Sequence, residues 1–220
     1  MKADAPTRDL AIMHHRFLLA LTLLVALGAC KPGGNAGSVA VEPAQTVLGE
    51  YAISASVIDQ RPYVVDGEES DRFIGKTLSK WGKISDIKTE SGRPLAVELT
   101  DELVNALDRR GVAAAGLPLP KGTPEATTLA AFQIHGTERM LAVQIYELEI
   151  KTISRISVRW HLEAFVYDRS GNTLARNATR GFEPLGKIGR KGDDADIAMK
   201  EIIRRLSELL DEPDISRALN

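Results

Sequence analysis

Ser157–Asp168, SVRWHLEAFVYD, is followed by Arg169–Asn172, RSGN, and then by Thr173–Phe182, TLARNATRGF. In the first segment Val158, Trp160, Leu162, Ala164 and Val166 alternate with Arg159, His161 and Glu163. Period-two alternation of this kind puts one set of side chains on a core and the other on the opposite face of a strand. Asp168, Arg169, Ser170, Gly171 and Asn172 are turn chemistry, so the two segments read as a hairpin. Upstream, Met140–Ile153 is a third strand candidate. Its apolar phase moves from Leu141, Val143 and Ile145 to Leu148 and Ile150, which calls for a bulge or bend.

Two helices flank this block. Pro94 suits a first turn, and Leu95, Leu99, Leu103 and Leu107 follow at intervals of four up to Gly111. Beyond the strands, Asp193 or Asp194 caps a helix carrying Ala195, Ala198, Met199, Ile202, Ile203, Leu206, Leu209 and Leu210, which Pro213 stops. Ala52–Asp59 reads as a strand, as does Arg72–Leu78, whereas the rest of the glycine-punctuated stretch between Tyr63 and Arg93 reads as a long connection. Three prolines exclude regular structure from Leu117 to Pro124, and a short helix fits Ala126–Ile134. This order excludes a doubly wound parallel sheet. It predicts an α+β, two-layer fold: a largely antiparallel sheet with two amphipathic helices packed on one face.

The amino-terminal region reads as an address. His14, His15 and Arg16 precede an apolar run from Phe17 to Leu27 that is interrupted only by Thr22 and is too short to span a bilayer. It ends in Leu27, Gly28, Ala29 and Cys30, a quartet that resembles the bacterial lipobox. On that resemblance residues 1–29 are a signal peptide, whose true start could be Met13. Cys30 becomes the lipidated first residue, and its acyl chains make the membrane a partner. A plain secretory signal with an incidental cysteine is the competing reading. Lys31 rather than Asp after the cysteine points onward to the outer membrane, with the protein facing the periplasm.

Residues 30–46 then form the lipidated terminus and tether. Pro32, Gly33, Gly34, Asn35, Gly37 and Ser38 leave it little to pack, and about 12 residues of coil reach about 20 Å. Residues 47–220 form a single α+β periplasmic domain. Cys30 is the only cysteine, so lipidation leaves no disulfide, and the core alone must hold the domain. Across 220 residues, 28 Lys and Arg stand against 30 Asp and Glu, which gives no basic excess to attract nucleic acid.

In layout the chain is similar to the YajG-type uncharacterised bacterial lipoproteins. The likeness rests on the lipobox, on Asp59-Gln60-Arg61 ending the first strand, on Arg109-Arg110-Gly111 closing the first helix, and on the last helix running into Asp214, Ile215 and Ser216. It implies an outer-membrane anchor and brings no catalytic residues with it.

The search for chemistry finds no complete constellation. His161 and Glu163 share a strand face with Arg159, but the cysteines of a zinc deaminase are missing, so a solvated polar face is the simpler reading. Two distant histidines predict no metal site, and no cofactor is expected. Gly186, Gly189 and Gly192 with Lys187, Arg190 and Lys191 could cradle phosphate, but Asp193, Asp194 and Asp196 repel an anion there, and a connecting loop is simpler. Asp59 and Arg61 read as a structural ion pair at a strand end rather than as a site. Lys76, Lys80, Lys83 and Lys88 with Trp81 form a basic segment that could touch a lipid headgroup, glycan or partner, against the simpler reading that Trp81 tucks onto the core. The sequence therefore predicts a non-enzymatic, lipid-anchored accessory module with an envelope protein partner. A lipid- or glycan-binding component of envelope transport or maintenance is the alternative.

Overall fold

A computed structural model describes residues 52–78, 81–187 and 193–220. The sheet has seven strands: β1 (Ile53–Asp59), β2 (Phe73–Leu78), β3 (Ile84–Lys88), β4 (Ala114–Gly116), β5 (Arg139–Thr152), β6 (Ile156–Asp168) and β7 (Thr173–Gly186). The helices are α1 (Pro62–Val65), α2 (Leu95–Asp108), α3 (Glu125–His135), α4 (Asp193–Asp211) and α5 (Pro213–Leu219). The α+β class is as the sequence predicts, with antiparallel β5–β6–β7 as its largest part. The sheet is nonetheless mixed, because β1 runs parallel to both β4 and β5, and β2 runs parallel to β5.

The alternation in β6 does what its pattern dictates. Val158, Leu162, Ala164 and Val166 are fully buried and Trp160 nearly so, in one core with Leu95, Leu99, Leu103 and Leu107 of α2 and Ala198, Ile202 and Leu206 of α4. At the turn, Ser170 and Asn172 backbone N–H groups donate to Asp168 Oδ1, and Asn172 Nδ2 donates to Oδ2. These bonds, led by the Asn172 side chain, hold the Asp168 carboxyl below its ordinary pKa. Across the core, Arg110 ties the C-terminal ends of α2 and α4 together, donating to Ala106 O, Ser207 O and Asp211 Oδ1.

The phase change in β5 is a bulge. Ile145 pairs with Leu162 and Glu147 with His161, leaving Tyr146 as the extra residue. The bulge lets Leu141, Val143 and Ile145 and then Leu148 and Ile150 all face the same core. Tyr146 turns to the other face, where its ring lies 5.2 Å from that of His161.

α2 packs on β1, and α4 on β6 and β7. The second face is not bare, because Phe132 of α3 packs with Ile58, Met140, Ala142 and Tyr167, and Leu117 and Leu119 pack against the same cluster. Pro94 sits at the N-cap of α2, one position ahead of the first turn proper. Pro213 ends α4, as its imino nitrogen requires, but it also opens α5, which buries Ile215 and Leu219.

The stretch between Tyr63 and Arg93 is more than a connection, since it forms α1 and the antiparallel β2–β3 hairpin. β1 and β2 lie along the same edge of β5, one after the other: β1 pairs with Arg139–Ile145 and β2 with Ile150–Thr152. Between them Leu148 O has no strand partner. Arg61 and Tyr63 fill this fork, with Arg61 Nη1 donating to Leu148 O (3.3 Å) and Phe73 O (2.9 Å), and Tyr63 Oη donating to Leu148 O (2.9 Å). The outer edge of β1 is completed in the same way. Beyond the short β4, Val57 N–H donates to Thr100 Oγ1 of α2, and Gly122 N–H donates to Asp59 O.

Trp160 supplies a direct test of the two faces. Its ring is 4% exposed, lies under the Arg205 guanidinium at 4.3 Å, and fills the space that Gly181 leaves on β7. Trp160→Ala is therefore expected to cost about 3–5 kcal/mol in urea unfolding, as large aromatic truncations do. His161→Ala should cost well under half of that, and equal losses would mean that the faces are misassigned.

Candidate contact surface

The β2–β3 hairpin is held at its base and carries exposed apolar side chains near its end. Gly75 lies so close to β5 that a Cβ there would be 2.0 Å from Ile150 O, so the parallel pairing requires glycine. β2 follows β5 only as far as the Thr77–Thr152 pair. Leu78, paired with Ile84, lies one residue beyond that pairing. Among the described residues no strand packs on this end, and Trp81 is 95% exposed, Ile84 57% and Leu78 36%. The expectation that Trp81 tucks onto the core is thus corrected.

The sequence-selected lysines are distributed around this end. Lys76 is bound to Glu69 at 3.3 Å and lies 5.8 Å over the Phe73 ring, on the flank of the hairpin. Lys83 is exposed in the turn beside Trp81. Lys80 lies outside the described residues, as do Cys30, the tether, and Gly189–Gly192 of the glycine-rich loop.

Two pairs singled out in the sequence take structural roles. Asp59 and Arg61 form the ion pair at the end of β1, and both are buried, joined by Arg61 Nε to Asp59 Oδ1 at 2.8 Å and Nη2 to Oδ2 at 2.7 Å. Burial works against the Arg61 charge, but the Asp59 carboxylate outweighs it and holds the guanidinium above its ordinary pKa. The His161–Glu163 face is not fully solvated, because Glu163 is 8% exposed and accepts from Arg176 Nε at 2.7 Å. Arg176 also covers the Phe165 ring at 5.2 Å. Arg176 comes from the neighbouring strand β7, a pairing that alternation within β6 does not reveal.

A Ser–His contact escapes the sequence altogether. Ser54 Oγ is 2.5 Å from His135 Nδ1 and 2.7 Å from Thr137 Oγ1, joining β1 to the end of α3. Ser54 is fully buried, which denies it the access that a nucleophile needs. Its partners lie 81 and 83 positions away, so no local pattern signals them. Burial holds His135 below its ordinary pKa of 6.5. The unfolded chain therefore takes up this proton first as pH falls, and the folded state loses stability below pH 6.5 while losing none above it. Urea midpoints at pH 7.5 and pH 5 should fall by more for the native protein than for His135→Gln.

Beside the base of the hairpin, α2 and α4 leave an open groove of about 470 Å³. Its floor is Ile74, Leu99, Met199 and Ile203, and its rim carries Glu90, Glu98, Asp101, Glu102 and Asp196 against Lys88 and Arg93. Arg93 is bound to Asp101 at 2.8 Å, and Ser91 donates to Glu98, so the rim keeps an excess of negative charge. Among the described residues no cluster of three or more His, Cys, Asp or Glu could hold a metal ion, and no helix is long and apolar enough to cross a membrane.

No family model matches the chain, and no curated protein matches it. Solved structures similar to it include a Xanthomonas campestris protein of the DUF330 family, at a TM-score of 0.46 and 12% identity over 73% of this chain and 81% of that one. A PelC dodecamer from Paraburkholderia phytofirmans is similar at a TM-score of 0.38 and 15% identity, over 73% of this chain and 89% of that one. A candidate lipoprotein from Caulobacter crescentus gives a TM-score of 0.33 and 12% identity, over 56% of this chain and 80% of that one. Likeness at this depth carries no functional inference, so function is argued from the chain's own residues.

Proposed function

We propose that this protein is a non-catalytic lipoprotein of the bacterial envelope, anchored in the outer membrane through acyl chains on Cys30, and that it works by contact at the end of the β2–β3 hairpin. It is a module of the YajG type facing the periplasm. The observation that carries this reading is Trp81, 95% exposed at the end of a hairpin whose base is fixed by Gly75 and the Arg61 fork. A soluble domain gains nothing from a projecting indole, whereas aromatic side chains of this kind are the usual anchors of protein interfaces.

The course of the chain through the domain supports the same reading. β1 begins beside Arg139, at one end of β5, while the hairpin leaves from Thr152 at the other. A 14-residue strand separates those ends by roughly 40 Å at about 3.3 Å per residue. The chain therefore enters the described fold at the end of β5 opposite the one near Trp81. The lipid- or glycan-binding alternative would use the groove between α2 and α4, but its carboxylate rim repels anionic headgroups.

The test has two arms. Cys30→Ser should remain unprocessed and leave the outer-membrane fraction, and a processed, membrane-bound variant would refute the anchor. Trp81→Ala with Lys83→Glu should abolish crosslinks in intact cells at an unchanged melting temperature, and retention of every crosslink would refute the contact surface.

A further inference from the structure

Resting on the reading that the protein works by contact, we infer that the partner of the hairpin end is a second copy of this chain, whose groove between α2 and α4 receives Trp81. The two surfaces are complementary in both respects that matter. The hairpin end offers Trp81 and Ile84 beside Lys83, and the groove offers an apolar floor of Leu99, Met199 and Ile203 beneath an acidic rim. Burying the indole on that floor supplies association energy, and the opposed charges select the orientation. A groove of about 470 Å³ is large enough for an indole and an adjoining aliphatic side chain.

A hairpin cannot fill the groove of its own molecule. Lys88 and Thr89 line the groove, while Ile84 begins the same strand at its far end, so the extended backbone of β3 carries Trp81 about 14 Å away from it. The contact is therefore between molecules, and it is head to tail, because a projection meets a concavity elsewhere on the surface. A pair then keeps one unused groove, on the copy whose hairpin is engaged, and one unused hairpin, on the other. Such heterologous contacts build rings when the rotation closes and filaments when it does not. Anchoring copies in one membrane would raise their effective concentration and favour the assembly.

The head-to-tail geometry makes a prediction that a symmetric dimer does not. Full-length protein in detergent is compared with a hairpin variant, Trp81→Ala with Ile84→Ser, and a groove variant, Glu90→Lys with Glu102→Lys. These positions are exposed or half-exposed, and unchanged circular dichroism and melting temperature verify folding. Light scattering after gel filtration should show the native chain as assemblies larger than a dimer that shrink as salt rises. Each variant alone should be monomeric. An equimolar mixture of the two should yield a one-to-one dimer and nothing larger, because one intact hairpin then meets one intact groove. A native chain that stays monomeric, variants that assemble like the native chain, or a mixture that forms no dimer would each overturn the inference. Should it fall while Trp81→Ala with Lys83→Glu still removes crosslinks to another envelope protein in cells, the contact reading stands and only the second copy is lost.

Discussion

Arg61→Met is expected to destabilise the domain by about 3–5 kcal/mol, the cost of breaking a buried ion pair from one side. The substitution removes both side-chain bonds to the Asp59 carboxylate, leaving only the Arg61 backbone N–H on that charge at 1% exposure. It also removes the donor to Phe73 O and one of the two donors to Leu148 O, at the place where β1 leaves β5 and β2 has yet to join it. Asp59→Leu with Arg61→Met should cost less than Arg61→Met alone, because no buried charge is left unpaired, although Phe73 O still lacks the Arg61 donor. Urea unfolding of the three proteins checks this, and a double variant less stable than the single one would contradict it.

Gly75→Val should disrupt the fold locally and more severely than an ordinary overpacked core position, at or above the upper end of the 1–3 kcal/mol range typical of overpacking. A Cβ at residue 75 would meet the Ile150 backbone at 2.0 Å for oxygen and 2.7 Å for carbon and nitrogen, and none of those atoms is the end of a flexible side chain. Relief requires β2 to lift off β5, which frees the hairpin. Hydrogen exchange should then show faster exchange in β2 and β3 than in the native protein, with β6 and β7 least affected. Unchanged protection throughout would mean that β2 does not depend on this close approach.

Much of the fold could be read from local pattern. β6 alternates cleanly, the Asp168–Asn172 turn uses side chains that bond their own backbone, and α2 repeats leucine every fourth residue, so each element carries its own signal. The bulge at Tyr146 was also legible, because a change of apolar phase within one strand has few physical solutions. β3 and β4 were not. Ile84–Lys88 is an edge strand exposed at most positions and has no core phase to display, and Ala114–Gly116 is too short to have a period. The tandem placement of β1 and β2 along β5 depends on pairing between distant segments, which no window of sequence contains.

The surroundings of the candidate residues are hidden for related reasons. Arg61 beside Asp59 resembles any surface pair until Phe73 O and Leu148 O, 12 and 87 positions away, are brought over it. A lone tryptophan usually finds a core, but β5 ends at Thr152, and among the described residues Trp81 stays exposed. The basic character of this segment and its indole were visible. That they stand at the end of a projecting hairpin was not.

Photo-crosslinking from position 81 in intact cells tests most directly whether this protein works by contact at the hairpin end. A photoreactive residue replacing Trp81 should give discrete protein adducts, including one at twice the mass of the mature chain, while the same residue replacing the exposed Glu212 on the α4–α5 connection should give none. Adducts from position 212 with none from position 81, in a processed and membrane-bound protein, would contradict it.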